Sequence, residues 1–119
     1  MDELIQRLVA NVGIDKATAE KAVGIILGFL KKEGPPERVQ PLLESLPGAE
    51  ALIESQQSDG GMFAMGGIMG VGTKLMGAGL DMGQVQAVTK EIIAFTREKV
   101  GDDAVGDIVA AIPGLSQFV

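Results

Sequence analysis

The stretch from Asp81 to Gly114, DMGQVQAVTKEIIAFTREKVGDDAVGDIVAAIPG, decides the predicted fold because an earlier stretch repeats its pattern. The earlier stretch runs from Asp15 to Gly48, DKATAEKAVGIILGFLKKEGPPERVQPLLESLPG, and aligns with the later one without a gap. Each stretch follows a glycine and one aliphatic residue, and each ends on an apolar residue followed by Pro-Gly. We interpret the chain as a tandem duplication of one small helical unit.

When the first stretch is shifted along the chain so that Asp15 falls on Asp81, its apolar residues fall on those of the second stretch. We call this shift the repeat offset. The later copy places Val85, Val88, Ile92 and Phe95 where the earlier copy has Ala19, Ala22, Ile26 and Phe29. Further along, Val105, Ile108, Val109 and Ile112 match Val39, Leu42, Leu43 and Leu46. Spacings of three and four residues are typical of helices that bury one face.

Capping residues mark the ends of the predicted helices in the first copy. Gly13 ends an amphipathic helix over residues 2–12, because glycine suits the backbone at a helix C-terminus. Asp15 is a candidate N-cap for a helix that runs to about Lys32. That helix is apolar nearly all round in its middle turns, which is typical of a central, buried helix.

The second copy carries its own caps. Asp81 with Gln84 three residues later resembles a capping box, in which the two side chains satisfy free backbone amides. Gly101 ends that helix, and Asp102 is the candidate N-cap of the next one.

Prolines interrupt the first copy after its central helix. Pro36 would suit the first position of a helix, but Pro41 is costly inside one, so we expect a turn from Pro36 to Val39 and a helix only from about Gln40. Residues 47–57 are expected to form one further short helix, with Ala51, Leu52 and Ser55 facing inward.

The predicted fold class is all-α: a compact bundle of two tandem three-helix repeats related by a pseudo-two-fold axis. We treat residues 1–119 as a single domain with repeat 1 over 1–53, a linker over 54–66 and repeat 2 over 67–119. The alternative is that similar helix lengths and loop signals align by accident. A contact map without symmetry between the halves would favour that alternative.

Composition narrows the function more by exclusion than by assignment. The 119 residues include no His, Cys, Trp or Tyr, and the net charge is -6. The absence of His and Cys removes the commonest general base, the commonest metal ligand and every thiol nucleophile. We therefore expect no enzyme activity, no cofactor and no metal. The acidic charge opposes nucleic-acid binding, and the acidic, amphipathic N-terminus predicts a cytoplasmic protein without a signal peptide.

The middle of the chain, GGMFAMGGIMGVGTKLMGAGL over residues 60–80, contains one charged residue, Lys74. Its length and the Gly66/Gly70 pair would suit a transmembrane helix, but eight of its 21 residues are glycine, which contributes little apolar surface. The duplication favours another interpretation, in which Ile68 to Ala78 form the first helix of the second copy. The preceding residues 58–64 are then a flexible linker.

The same region supplies the candidate interaction surface. The residues are Met62, Phe63, Met65, Ile68, Met69, Leu75 and Met76, with the apolar Leu115, Phe118 and Val119 near the other end. Methionine-rich surfaces adapt to different partners, so we predict protein–protein interaction or scaffolding with self-association. The alternative is a carrier that binds a lipid or another apolar small molecule through this face. The C-terminal residues either dock onto the body, as repeat partners of Ala49, Leu52 and Ile53, or reach a neighbouring molecule.

One acidic group and one glycine-rich run resemble sites of chemistry, but both favour a structural role. Asp102, Asp103 and Asp107 are the densest carboxylates, and such groups can hold a hard cation. A cap at Asp102, the helix dipole at Asp103 and solvation of Asp107 explain them better. The run from Gly66 to Lys74 lacks the order of a phosphate-binding loop, since Thr73 precedes Lys74.

Two short segments resemble known families. Gly13-Ile14-Asp15 with its helix, and GDDAVGDIVAAIPGLSQFV over residues 101–119, resemble small bacterial all-helical proteins of unknown function. This resemblance implies an all-α bacterial protein and transfers no site residues. DKATAE over residues 15–20 is also similar to one helix of ubiquitin-associated three-helix domains.

Overall fold

The computed structural model describes residues 2–34, 36–46, 48–60 and 68–111, and these residues form α-helices and no strand. The helices are α1 Asp2–Val12, α2 Lys16–Glu33, α3 Pro36–Glu44, α4 Ala49–Gly60, α5 Ile68–Gly77, α6 Met82–Val100 and α7 Asp102–Ala111. The predicted all-α class is confirmed for this part of the chain. The radius of gyration is 12.7 Å, close to the roughly 13 Å expected of a globular chain of this length.

Helices α2 and α6 form the centre of the molecule. Both α1 and α5 pack against α2 and against α6, while α4 lies along α2 and α7 lies against α6. Helix α3 contacts α2, α6 and α7. The largest fully buried side chains come from all of these elements: Leu4, Leu8, Ile26, Leu27, Leu30, Leu42, Leu46, Ile53, Leu75, Ile92 and Ile108. The core is aliphatic apart from Phe29 and Phe95.

Equivalent helices of the two halves begin at positions separated by the repeat offset. This offset relates the first residues of α1 and α5, of α2 and α6, and of α3 and α7. The buried residues of α6 are Val85, Val88, Thr89, Ile92, Ile93, Phe95 and Thr96. At the same offset in α2 lie Ala19, Ala22, Val23, Ile26, Leu27, Phe29 and Leu30, and all of them are buried.

The predicted N-cap residues are confirmed at α2 and α6 and wrong at α7. The capping box of α6 is confirmed. The backbone N–H of Gln84 donates to Asp81 Oδ1 over 2.8 Å, and the backbone N–H of Asp81 donates to Gln84 Oε1 over 3.1 Å. Asp15 occupies the N-cap position of α2 with an extended backbone, but its side chain makes no capping hydrogen bond. Asp102 was the wrong residue for the N-cap of α7, because the helix already includes it and Gly101 precedes it.

Helix α3 begins at Pro36, so the predicted turn over residues 36–39 is wrong. A proline at the first helical position is compatible with a helix, since its missing N–H would have no helical partner there. Pro41 lies on the exposed face together with Glu37, whose carbonyl it leaves without a helical donor. Water can satisfy that carbonyl, and the burial of Val39 and Leu42 holds the first turn in place.

Helix α4 is longer than predicted and turned differently. It continues through Gly60, so the first residues of the segment interpreted as a linker are helical. Ala49 and Ile53 are buried, and Leu52 is half-buried against the core, whereas Ala51 is exposed. The predicted inward face is therefore confirmed at Leu52 and wrong at Ala51, and the Ser55 side chain lies outside the described ones. Ile53 faces the glycine side of α2: a Cβ added at Gly28 would lie 3.5 Å from Ile53 Cγ2. The buried pair, four residues apart, is the face that docks on α2.

Candidate interaction surface

The structure brings only part of the predicted interaction surface into view. Met62, Phe63, Met65, Leu115, Phe118 and Val119 lie outside the described residues. Ile68 and Met69 lie in the first turn of α5, where the structure describes the backbone but not these side chains. Leu75 and Met76 are described completely.

Leu75 belongs to the core and not to an exposed surface. Its side chain is 0% exposed, while that of its neighbour Met76 is 47% exposed. The preceding residue, Lys74, is also exposed. Helix α5 therefore turns Leu75 toward α2 and α6, and Met76 remains on the outside.

A second methionine, which the sequence prediction did not include, lies on the far side of the same turn. Met82 is 58% exposed and is the first residue of α6. We call Met76, Met82 and residues 77–81 between them the methionine turn. A usable signal was present in the sequence, because a residue directly after an N-cap begins a helix and is usually solvent-exposed.

Backbone hydrogen bonds fix the shape of the methionine turn. The Leu80 amide donates to the Leu75 carbonyl over 3.2 Å, and the Gly79 amide donates to the Met76 carbonyl over 3.1 Å. Gly79 has φ of 110°, which is a backbone conformation that side-chain-bearing residues rarely adopt. These bonds form a Schellman motif, and the buried Leu75 and Leu80 supply its usual apolar contact. The two methionines are therefore held on either side of a defined turn.

The first half carries small or charged side chains at the equivalent positions. By the repeat offset, Ala10 corresponds to Met76 and Lys16 corresponds to Met82, and both are exposed. The exposed positions are thus shared by the two halves, but only the second half places methionine there. The methionine turn is a feature of the second half alone.

Charged side chains gather elsewhere, at the contact between α1 and α6. The Arg7 Nη1 donates to Glu98 Oε2 over 2.8 Å, and its Nη2 lies 3.5 Å from Glu91 Oε2. The guanidinium carbon is 5.5 Å from the centre of the Phe95 ring, and Lys99 Nζ is 5.1 Å from it. The hydrogen bond to Glu98 raises the pKa of Arg7 above its usual value. These contacts join two helices and explain the cluster as a packing device.

Two of the three candidate acidic residues of α7 are engaged in ion pairs. Asp107 Oδ2 lies 3.0 Å from Arg38 Nε and connects α7 to α3. Asp102 Oδ1 lies 3.7 Å from Arg97 Nε at the junction of α6 and α7. Within the described ranges, no group of three or more acidic side chains is arranged to hold a metal ion.

The membrane interpretation of the glycine-rich middle depends on helix length and hydropathy. Among the helices that the structure describes, none is both long enough and apolar enough to cross a bilayer.

Comparison of the chain with protein-family models, with curated proteins and with solved structures finds no match.

Proposed function

We propose that this protein is a non-catalytic helical scaffold that associates with itself through the methionine turn. The observation that carries the proposal is that two exposed methionine side chains flank one turn. Met76 and Met82, at 47% and 58%, are the most exposed large apolar side chains in the described chain. They flank the same rigid turn, and their equivalents in the first half are Ala10 and Lys16.

The chemistry of the turn suits a contact between two copies. Methionine side chains are flexible and polarizable, so they fit irregular apolar surfaces. The residues between them, Gly-Ala-Gly-Leu-Asp, add little side-chain bulk, and the Asp81 carboxylate is already bonded within the capping box. A second copy presenting the same turn gives a self-complementary two-fold contact.

The size of the surface sets the expected strength. A turn of this length supports an interface below about 1,200 Å², which is the range of weak and transient complexes. Self-association should therefore depend on concentration instead of producing a permanent dimer.

Composition supports a non-catalytic role. The chain has no His and no Cys, so general base catalysis near neutral pH and thiol chemistry would need unusual substitutes. Two of the three carboxylates most closely grouped in the sequence, Asp107 and Asp102, are paired with Arg38 and Arg97.

We further propose that the scaffold arose by duplication, with residues 67–119 repeating residues 1–53 about a pseudo-two-fold axis. The shared offset of three helix starts and the matched burial of α2 and α6 support it. The packing supports it too. If the two halves exchange places, the contact of α1 with α6 becomes that of α5 with α2, and the contact of α1 with α2 becomes that of α5 with α6. All four contacts occur. The alternative, accidental alignment of helix lengths, also gives the shared helix starts but does not predict the reciprocal contacts.

Size-exclusion chromatography with light scattering over a range of concentrations tests the self-association. The wild type should show a mass that rises above that of one chain, and the Met76→Gln/Met82→Gln variant should remain monomeric with unchanged helical circular dichroism. Val9→Gln is the matched control, because Val9 is 39% exposed on α1, in the other half. It should associate as the wild type does. A wild type that is monomeric throughout, or a double variant that associates normally, would contradict the proposal.

Native mass spectrometry of the same preparations tests the alternative carrier function. A lipid or other apolar molecule that co-purifies with the wild type and is lost in Met76→Gln/Met82→Gln would favour the carrier. A monomer without a bound molecule would defeat both functions.

A further inference from the structure

Three ion pairs join the two halves in the described part of the chain, and all three have the same direction. Arg7 of α1 pairs with Glu98 of α6 over 2.8 Å and lies 3.5 Å from the carboxylate of Glu91. Arg38 of α3 pairs with Asp107 of α7 over 3.0 Å. In each pair the first half supplies the guanidinium group and the second half supplies the carboxylate.

The repeat offset does not reproduce these charges. The equivalents of Arg7 and Arg38 are Thr73 and Ala104, and the equivalents of Glu98, Glu91 and Asp107 are Lys32, Ile25 and Pro41. The second half therefore has no cation at the positions where the first half has one, and the first half has no anion at the positions where the second half has one. The buried residues of α2 and α6 correspond, but the charges at the contact between the halves do not.

This asymmetry matters because repeated units can pair with the wrong copy. Exchange of equivalent units between chains is a common failure of repeat proteins. In a pair of two first halves, Arg7 would face Lys32 instead of Glu98, so like charges would meet. In a pair of two second halves, Glu98 would face Thr73 and would have no cation opposite it.

We propose that these charges select the partner of each half. The cationic face of α1 and α3 fits the anionic face of α6 and α7 and disfavours a copy of itself. Opposite charges across a contact favour the correct partner, and like charges at the same place exclude a wrong one. This selection rests on the proposed duplication. It is independent of the methionine turn, which contains none of the charged residues concerned.

The selection depends on the three pairs together. Each pair is partly exposed, with Arg38 and Asp107 both at 53%, so each alone contributes little. A pair of like halves would lose all three at once. The contact of Arg7 with the Phe95 ring, 5.5 Å from its centre, does not add to the selection. Phe29 stands at the equivalent position, so two first halves would keep that contact.

Variants of the full chain reproduce a contact between like halves inside one molecule. Glu98→Lys places opposite Arg7 the residue type that the first half has at the equivalent position, and Glu98→Gln is the neutral reference. Glu98→Lys should unfold at a lower urea concentration than Glu98→Gln. In about 1 M salt, where the Debye length is about 3 Å, the gap between the two midpoints should shrink by more than half.

Glu54 supplies the matched control, because it is exposed on α4, which packs along α2 of the same half. Glu54→Lys should not unfold earlier than Glu54→Gln. A gap at Glu54 as large as the gap at Glu98 would overturn the proposal, since the effect would then not belong to the contact between the halves.

Reversal of the second contact tests the direction of the pairing. Arg38→Glu brings two carboxylates together between α3 and α7, and Asp107→Arg brings two guanidinium groups together. Each variant should have a lower urea midpoint than the wild type. The Arg38→Glu/Asp107→Arg variant restores opposite charges with the direction inverted, so it should recover more than half of the summed loss.

Each outcome decides the proposal. A salt-dependent gap at Glu98 together with recovery in Arg38→Glu/Asp107→Arg supports it. Equal midpoints at Glu98, a gap that salt leaves unchanged, or recovery of half the loss or less overturns it. If Glu98→Lys does not fold, the reversal at Arg38 and Asp107 decides alone. Distances between the halves test the duplication, and light scattering of the methionine variants tests self-association, so each proposal can fail separately.

Discussion

The first helices of the two halves, α1 and α5, begin at equivalent positions but pack differently. Helix α1 buries Leu4, Ile5 and Leu8 and is tied to α6 by Arg7. In α5, Lys74 stands at the position equivalent to Leu8 and is exposed, while the next residue, Leu75, is fully buried. The equivalent of Leu75 is Val9, which is 39% exposed. The inward face of α5 is thus set one residue later than that of α1.

This difference shows which part of the proposed duplication keeps its register. The central helices α2 and α6 bury corresponding residues except at Gly24, whose counterpart Lys90 is exposed, whereas the entry helices differ in their inward face. One residue corresponds to about 100° of rotation on an α-helix, from its 3.6 residues per turn. An entry helix can change its inward face in this way because it packs on the outside of a centre that α2 and α6 already define. In the second half, where the inward face of α5 differs, Met76 and Met82 occupy exposed positions.

The largest expected effect comes from alanine substitutions at corresponding positions of α1 and α5. Leu8→Ala should lower the free energy of unfolding by about 2–5 kcal/mol, because it leaves a cavity in the core. Lys74→Ala, at the equivalent position, should change it by less than about 0.5 kcal/mol. Leu75→Ala should be costly and Val9→Ala mild, which is the reverse order. Urea unfolding with a common m-value measures all four.

The comparison of α1 with α5 fails if substitutions at corresponding positions change the free energy of unfolding by similar amounts. A Lys74→Ala variant as unstable as Leu8→Ala would mean that α5 packs in the register of α1. The described burial of Leu75 would then be wrong.

A smaller effect tests whether glycine weakens α5. Gly72 lies inside the helix, and a Cβ added there meets nothing within 4 Å. Gly72→Ala should therefore raise the free energy of unfolding by about 0.5–1 kcal/mol, the difference in helix propensity. Gly79→Ala is the control with the opposite sign, since its φ of 110° is strained for any side chain. Thermal unfolding of the two variants should shift the midpoint in opposite directions, and a Gly72→Ala variant that melts earlier would refute the account of α5.

The smallest effect concerns the charged contact that α1 makes. Arg7→Gln removes the pairs with Glu98 and Glu91 and the contact with Phe95. The groups are partly exposed, so the loss should be only about 0.5–1 kcal/mol. Because salt screens such pairs, the loss should shrink at high ionic strength, as measured by urea unfolding at two salt concentrations. Lys31→Gln, at an exposed position on α2, should show neither effect.

How much the sequence reveals differs along the chain for physical reasons. Helices α2 and α6 were predictable because caps and a dense apolar stripe agree, as the capping box at Asp81 confirms. Which start α3 takes, Pro36 or about Gln40, was not predictable, because it depends on the tertiary burial of Val39 and Leu42 outweighing the penalty of Pro41 inside the helix. The inward turn of α5 was not predictable either, since glycine leaves little periodicity to read.

The candidate surface was predicted in part. The sequence singled out Met76 as part of a methionine-rich region, and the structure places it outside the core. It also singled out Leu75, which periodicity places beside Met76 but which packing buries. Met82 was missed because its exposure depends on the start of α6, which only the cap at Asp81 signals.

The central claim is that the two halves are copies related by a pseudo-two-fold axis, and reciprocal distances test it most directly. Spin labels attached through Lys16→Cys/Asp103→Cys and through Met82→Cys/Glu37→Cys probe two pairs that the axis would exchange, all at exposed positions. Pulsed electron–electron double resonance should give two distance distributions whose maxima coincide within their widths. Maxima that are clearly separated would contradict the duplication.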